Sequence, residues 1–305
     1  MITEQTIRAI KYPPELIPDA WFGTIAINAE FAPPVLDLKR FSPNLLHLTN
    51  IMLTASANVN LRARYDDVRL EQNTAGMLSL LANAWNLPAK SLLYFNFFGV
   101  GAFPNYFAHY GVWAYPPTIA HKLQWGIALT EKEKAINDEL GIAATVQKGL
   151  LPLPISQIIE REYPVVGEET HAIAVNIAVG GVTHPIEVLY AKPGEILVLT
   201  RIAATTSTAA ENVQLIVDRD NDANYLQFPT LPLNLLAGGE VACFIPATRE
   251  IRLTTTSTVA PGPGYLFRYT FQRIKLTNIL RVRFGLMSEA EAPADLWKKV
   301  QAGVV

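Results

Sequence analysis

The chain is short of charge and of cysteine, and each shortage excludes a class of protein. Asp, Glu, Lys and Arg make up 17% of its 305 residues, whereas globular proteins average about 25%. The net charge of −2 gives no basic footprint of the kind that nucleic-acid-binding proteins carry. Apolar residues make up 50%, which argues against extensive disorder. We therefore expect a folded protein with no nucleic-acid partner.

The single cysteine, Cys243, excludes a disulfide framework within the chain. It lies between Ala242 and Phe244 in an apolar run, which is typical of a small buried side chain rather than of a nucleophile. The N-terminus has no basic region followed by an apolar stretch, so no signal peptide is expected. These features predict a protein that is made and kept in the cytoplasm, unless something larger carries it out.

The segment from Ser91 to Ala120 contains no Asp, Glu, Lys or Arg and is rich in Phe, Tyr and Trp. Aromatic side chains at this density must be buried, because exposed they would cause aggregation. Pro104, Pro116 and Pro117 argue against a membrane-spanning helix, so no membrane partner is expected. We expect the segment to lie in a domain core or in a subunit interface.

The candidate assembly residues are aromatic side chains of this segment and of the N-terminal arm. The arm contains two proline pairs, which keep it extended, so its aromatic residues must find apolar contacts on another surface. We expect both regions to contact a second copy of the chain or another protein. The candidate interface residues are Trp21, Phe22, Phe31, Phe97, Phe98, Phe103, Tyr106, Phe107 and Trp113.

The pattern along the chain predicts an α+β N-terminal region followed by an all-β sandwich with a jelly-roll-like arrangement. Apolar spacing favours helices over 44–61 and 73–85, and alternation favours a strand between them. Thr130, Glu133 and Gly141 predict a capped helix. The predicted divisions are an extended proline-rich arm at 1–40, a mixed α/β aromatic-rich assembly domain at 41–160, a β-sandwich at 161–285 and a tail or short helix at 286–305.

The search for chemistry yields one candidate metal site. Asp218, Asp220 and Asp222 have the alternate spacing of a calcium loop, but Ala223 stands where the turn glycine should be. A polar turn after a strand explains the same three residues without a metal. The five histidines form no zinc spacing, and no nucleophile elbow or phosphate loop is present. We therefore expect no cofactor and no enzymatic activity.

Two parts of the sequence resemble virion proteins. The segment from Tyr110 to Pro154 resembles structural proteins encoded in bacteriophage and prophage gene clusters. The pieces KPGEILVLTRI and VDRDNDANYL are similar to jelly-roll modules of capsid-decoration and other virion proteins. The resemblance implies a non-enzymatic virion protein of a tailed bacteriophage, capsid-associated or of the decoration type, whose partners are itself and other virion proteins.

Two other functions stay open from the sequence. The sandwich could be a binding module that recognises a host surface glycan or receptor through loops around Asp218 to Tyr225 and Pro261 to Tyr265. Such a site needs an exposed aromatic platform, for which Tyr225 and Tyr265 are the candidates. A jelly-roll enzyme is the third possibility, and the missing metal motif disfavours it.

Overall fold

The described part of the chain is mostly antiparallel β-sheet with a few short helices. The computed structural model describes residues 15–25, 30–31, 45–54, 59–65, 68–73, 93–99, 103–115, 117–147, 163–205, 213–229, 240–257, 260, 262–288 and 290–302. None of the helices within these ranges is both long and apolar enough to cross a bilayer.

The strands before residue 118 belong to two sheets. They are β1 (Glu15–Ile25), β2 (Glu30–Phe31), β3 (Leu45–Thr54), β4 (Val59–Tyr65), β5 (Val68–Asn73), β6 (Leu93–Gly99) and β7 (Phe103–Tyr115). The order β2-β6-β4-β5 forms a four-stranded sheet, whereas β3, β7 and β1 lie side by side in a larger one. The charge-free aromatic segment thus contains two consecutive strands that lie in different sheets: β6 in the four-stranded sheet and β7 in the larger one.

The helix predicted over 44–61 is wrong, because the described residues of that range, 45–54 and 59–61, belong to β3 and to the beginning of β4. The pairing of β3 with β7 shifts register between Thr49 and Met52. Such an irregularity interrupts the alternation of a strand, and the apolar residues on either side of it then have a spacing that resembles a helix. The helix predicted over 73–85 falls outside the described residues, except for Asn73 at the end of β5.

After residue 163 the described chain is a sandwich of two antiparallel sheets, as the sequence predicts. Its strands are β8 (Val165–Ile177), β9 (Thr183–Tyr190), β10 (Glu195–Thr205), β11 (Val213–Arg219), β12 (Asp222–Pro229), β13 (Glu240–Ala247), β14 (Glu250–Ser257) and β15 (Gly262–Lys275). Strands β13, β10, β15 and β8 are neighbours in one sheet, and β12, β11, β14 and β9 form the other. Between the sheets lies one continuous apolar core.

Strand β15 supplies the largest side chains of that core. Tyr265, Phe267, Tyr269 and Phe271 are all buried, and they occupy every second position, as one face of a strand requires. β12 was not among the predicted strands. It forms a hairpin with β11 through Asp220 and Asn221, whose φ angles of 48° and 67° are those of a two-residue hairpin turn.

The two sets of strands are joined in one seven-stranded sheet. Its order is β3-β7-β1-β13-β10-β15-β8, so β1 lies between β7 of the first set and β13 of the second. Residues 15–25, which belong to the predicted arm, are therefore a strand inside this sheet. The predicted domain boundary near residue 160 falls outside the described residues, as does most of the predicted arm.

The order of strands repeats from one set to the other. The four-stranded sheet of the first set has the order β2-β6-β4-β5, and that of the second set has the order β9-β14-β11-β12. In each set these are the second strand, the last but one, the fourth and the fifth. In the shared sheet, β3-β7-β1 corresponds to β10-β15-β8: third, last and first. The seven described strands of the first set therefore follow the same order as seven of the eight in the second, and β13 has no counterpart among the described strands of the first set.

Five helices lie in the described ranges. They are α1 (Ile119–Gln124), α2 (Glu131–Leu140), α3 (Ile142–Gln147), α4 (Asn278–Arg283) and α5 (Ala294–Ala302). We call α1 to α3 the connector helices, because they lie between β7 and β8, and α4 and α5 the C-terminal helices. The predicted cap of α2 is confirmed: Thr130 and Glu133 form a capping box, and Gly141 has a φ of 63°.

The connector and C-terminal helices share an apolar cluster. Ile119 of α1, Ile136 of α2, Ile142 of α3 and Ala302 of α5 are buried together. Outside this cluster, Lys298 of α5 forms an ion pair with Glu139 of α2 at 2.5 Å. The last described helix therefore packs on helices that precede the sandwich.

Candidate assembly surfaces and the polar cluster between the sheets

All nine predicted assembly residues lie on strands whose backbones pair within this chain, and for eight of them the side chain lies outside the described ones. Phe22 of β1 is directly opposite Phe107 of β7, and Phe31 of β2 is opposite Phe97 of β6. The eight residues are Trp21 and Phe22 on β1, Phe31 on β2, Phe97 and Phe98 on β6, and Phe103, Tyr106 and Phe107 on β7. The structure describes the backbone of these eight residues and not their side chains, so their part in assembly stays a prediction.

The ninth residue, Trp113 near the end of β7, packs inside the chain. Its ring lies 5.7 Å from that of Phe244 of β13, and Phe244 in turn contacts Tyr163 edge-on at 5.3 Å. The same cluster contains Leu16 of β1 and Leu280 of α4. This second core lies on the opposite face of the shared sheet from the sandwich core, and it joins β1, β13 and a C-terminal helix.

A buried ion pair connects β1 to β11 of the sandwich. Glu15 is 4% exposed, and it accepts a hydrogen bond from Nη1 of Arg219, at the end of β11. The same nitrogen donates to the backbone carbonyl of Pro246 at 3.3 Å. This contact brings β1, β11 and β13 together and was not foreseen from the sequence, because the two charged residues are 204 positions apart.

A polar cluster bridges the two sheets of the sandwich at β8 and β9. His171 Nδ1 on β8 lies 2.9 Å from Glu187 Oε2 on β9 and 3.2 Å from the Tyr269 hydroxyl. The imidazole also packs edge-on against Phe271, with ring centroids 5.1 Å apart. The contact therefore connects strands of different sheets, where the core would otherwise open to solvent.

Arg273 of β15 extends this cluster towards its neighbouring strands β8 and β10. Its Nε donates to Glu169 Oε1 at 3.0 Å, and its Nη1 lies 3.8 Å from Glu195 Oε2. The hydrogen bond from Arg273 is the main reason that the pKa of Glu169 lies below its ordinary value. The guanidinium also lies over the Phe271 ring at 5.3 Å. Arg273 thus pairs with carboxylates of its own sheet, and its Nη1 also donates to the Tyr190 carbonyl of β9 at 3.3 Å, which connects it to the other sheet.

The three aspartates of the calcium candidate do not converge. Asp220 accepts hydrogen bonds from the backbone N–H groups of Thr248 and Arg249, at 3.4 and 2.9 Å, and Asp222 is exposed. In the described ranges, which include all three aspartates, no group of three His, Cys, Asp or Glu side chains could hold a metal ion. Asp220 instead fixes the β13–β14 turn against the β11–β12 turn.

Two other residues singled out in the sequence are buried. Tyr265 is 0% exposed, so the expectation that it forms half of an exposed glycan platform is wrong; the side chain of Tyr225 lies outside the described ones. Cys243 is buried and donates to the Leu199 carbonyl at 3.3 Å. Burial raises the pKa of the Cys243 thiol well above its ordinary value, as expected of a structural cysteine.

No protein-family model and no curated protein matches the sequence. Among solved structures, the PRD1 vertex protein P5 is 14% identical over 33% of this chain and 96% of its own, with a TM-score of 0.25. The PBSX exported protein XepA is 11% identical over 87% of both chains, with a TM-score of 0.24. A chain of the Sulfolobus Turreted Icosahedral Virus is 7% identical over 87% of this chain and 94% of its own, with a TM-score of 0.23. TM-scores this low do not establish a shared fold, so the three likenesses assign neither a fold nor a function to this chain.

Proposed function

We propose that this chain is a non-enzymatic structural protein of a bacteriophage virion. It is capsid-associated or a decoration component, it self-associates or docks on the particle, and its partners are its own copies and other virion proteins. The proposal begins from the resemblance of residues 110–154 and of the sandwich pieces to virion proteins.

The observation that carries the proposal is the pairing of β1 with β13, which unites two strand sets of the same order in one sheet. In the second set, one sheet holds β8, β10, β13 and β15 and the other holds β9, β11, β12 and β14, so that every connection except β11–β12 crosses between the sheets. This is the connectivity of a jelly roll. Jelly rolls serve in capsids, in lectins and in cupin enzymes. A jelly roll whose sheet continues into a second set of strands has little freedom against that set, which suits a part of a particle.

The described side chains favour the capsid role among those three. A lectin needs an exposed aromatic platform, and Tyr265 is buried. A cupin needs histidines and a carboxylate converging inside the sandwich, where β15 instead places four aromatic side chains. His171 contacts Glu187 across the two sheets, and Arg273 forms an ion pair with Glu169 of the neighbouring strand.

Light scattering during size-exclusion chromatography tests the self-association. The monomer has a mass of 33.6 kDa, and we expect a discrete larger species, visible as uniform objects by negative-stain microscopy. A matched experiment mixes the protein with particles that lack it and measures how much sediments with them. A protein that stays monomeric at all concentrations and does not sediment with particles contradicts the proposal.

A further inference from the structure

Strand β8 forms one edge of the seven-stranded sheet, and its only neighbour among the described strands is β15. The pairing with β15 is regular from Gly167 to Val175, between the two positions where the register shifts. This stretch contains neither proline nor lysine, and most of its side chains are at least partly exposed. Alternate N–H and C=O groups of an edge strand point away from the sheet, so a regular edge is a template for a further strand.

The other two edge strands of the sandwich, β9 and β12, carry features that discourage pairing with another chain. Strand β9 contains Pro185, and its register with β14 is irregular. Strand β12 ends at Pro229, and its register with β11 is irregular as well. Proline and register irregularities are common protections of a sheet edge. Strand β8, which is regular over its central part, is therefore the edge of the sandwich best suited to strand addition.

Two polar side chains on the inner face of β8 restrict which strand can be added. Glu169 and His171 lie opposite Phe271 and Tyr269 of β15, whose side chains belong to the sandwich core. At the edge of that core, the side chains of Glu169 and His171 remain 45% and 31% exposed. An added strand must place a compatible group opposite each of them, because a like charge or an apolar side chain opposite a carboxylate weakens the pairing.

A second copy of β8 meets this requirement. In an antiparallel pair with a two-fold axis at Thr170, Thr170 lies opposite itself and Glu169 lies opposite His171 of the second copy. A carboxylate then faces an imidazole on both sides of the axis, and the two sandwich cores lie on the same side of the joined sheet. An axis at Glu169 would place two carboxylates opposite each other, and an axis at His171 would place Glu169 opposite the apolar Ile173. Charge complementarity therefore selects the register centred on Thr170.

We propose that β8 pairs with β8 of a second copy, so that two seven-stranded sheets become one continuous sheet across a two-fold axis at Thr170. This inference names the surface of the self-association proposed above and rests on it. The same register brings the exposed Val166 near Ala174 of the second copy, which is also exposed, so apolar surface is buried on both sides of the axis. Because a two-fold interface uses the same surface of each copy and then closes, the expected species is a dimer.

Cysteine cross-linking of the full chain tests this register, because the only native cysteine, Cys243, is buried. Thr170→Cys should form a disulfide with itself under mild oxidation, since directly opposite residues of paired strands have Cα atoms about 4.5–5.5 Å apart. Glu168→Cys and Ala172→Cys lie opposite each other in this register, so they should cross-link when mixed and not when alone. The matched control is Ala144→Cys, which is exposed on α3 and should not cross-link.

Light scattering of a charge variant gives a second test. Thr170→Lys places two like charges opposite each other and should raise the dissociation constant of the dimer by at least about 10-fold. Ala144→Lys adds the same charge away from β8 and should leave that constant unchanged. A chain that self-associates while Thr170→Cys cross-links no faster than Ala144→Cys overturns the β8 interface and leaves the self-association standing. A chain that is monomeric at every concentration contradicts both proposals.

Discussion

Glu15 and Arg219 form a buried ion pair that connects the first described strand, β1, to β11 in the four-stranded sheet of the sandwich. Because β1 also pairs with β7 and β13, the residues around this contact belong to both halves of the chain. The ion pair and the Trp113–Phe244 contact lie at the same junction. The two strand sets are therefore joined by sheet hydrogen bonds, by an apolar cluster and by a charge pair.

Replacing Glu15 with Gln should destabilise the protein by about 1.5–3 kcal/mol, because it removes the charged acceptor of the hydrogen bond from Arg219. Urea unfolding measures this change. The matched control is Glu131→Gln, which removes an exposed ion pair with Lys134 and should cost less than about 1 kcal/mol. Equal effects of the two substitutions would mean that the Glu15–Arg219 pair does not hold the halves together.

Deleting residues 1–25 should lower the stability of the subunit itself, and not only weaken assembly. The deletion removes Leu16 from a core cluster, which alone is worth about 2 kcal/mol, and it leaves β7 and β13 without their common neighbour. Unpaired strands of this kind promote aggregation. Calorimetry of the truncated and full-length chains decides the point, and an unchanged melting temperature would show that β1 adds nothing to the subunit.

Substitution of Asp220 should lower the stability more than substitution of Asp222, although both belong to one acidic cluster. Asp220→Asn weakens hydrogen bonds to two backbone N–H groups and to the Thr248 hydroxyl, and we expect a loss of about 1–2 kcal/mol. Asp222→Asn should change the stability by less than about 0.5 kcal/mol. Melting curves with calcium and with EDTA complete the test. A calcium-dependent stability that Asp222→Asn abolishes would instead support the calcium site predicted from the sequence.

Acid should destabilise the protein through His121. Burial lowers its pKa to about 4 in the folded chain, whereas the pKa is about 6.5 when unfolded. The unfolded chain therefore binds the proton first, and stability falls as the pH drops from about 6.5 to about 4, by about 3 kcal/mol in all. Urea unfolding at several pH values measures the slope. His121→Gln should show a smaller slope in this window, and an identical slope would exclude His121 as the cause.

Local signals made some elements predictable from the sequence. The helix from Glu131 to Leu140 begins with a capping box and ends at a left-handed glycine, and both features lie within the helix itself. Most strands of the sandwich show alternation between turn residues. Strand β3 was mistaken for a helix because its pairing shifts register, and β12 was missed because it begins at an aspartate-rich turn and ends at Pro229.

Long-range relationships could not be predicted in the same way. A strand needs only alternating burial to take its place in a sheet, so two sets of strands can share an order without sharing residues. For the same reason the pairing of β1 with β13 leaves no mark in the sequence. His171 and Tyr269 are 98 positions apart, and neither stands in a motif, so the polar cluster became apparent only in three dimensions.

The composition of purified particles tests the virion role most directly. Phage particles from cells carrying the gene, banded in a density gradient and washed, are analysed by quantitative mass spectrometry against a deletion strain. The account predicts that the chain copurifies with the particles at a fixed ratio to the major capsid protein, and that an antibody against residues 163–302 labels their surface. A chain that stays in the soluble cell fraction, while particles of the wild type and of the deletion strain are identical in composition and yield, would contradict it.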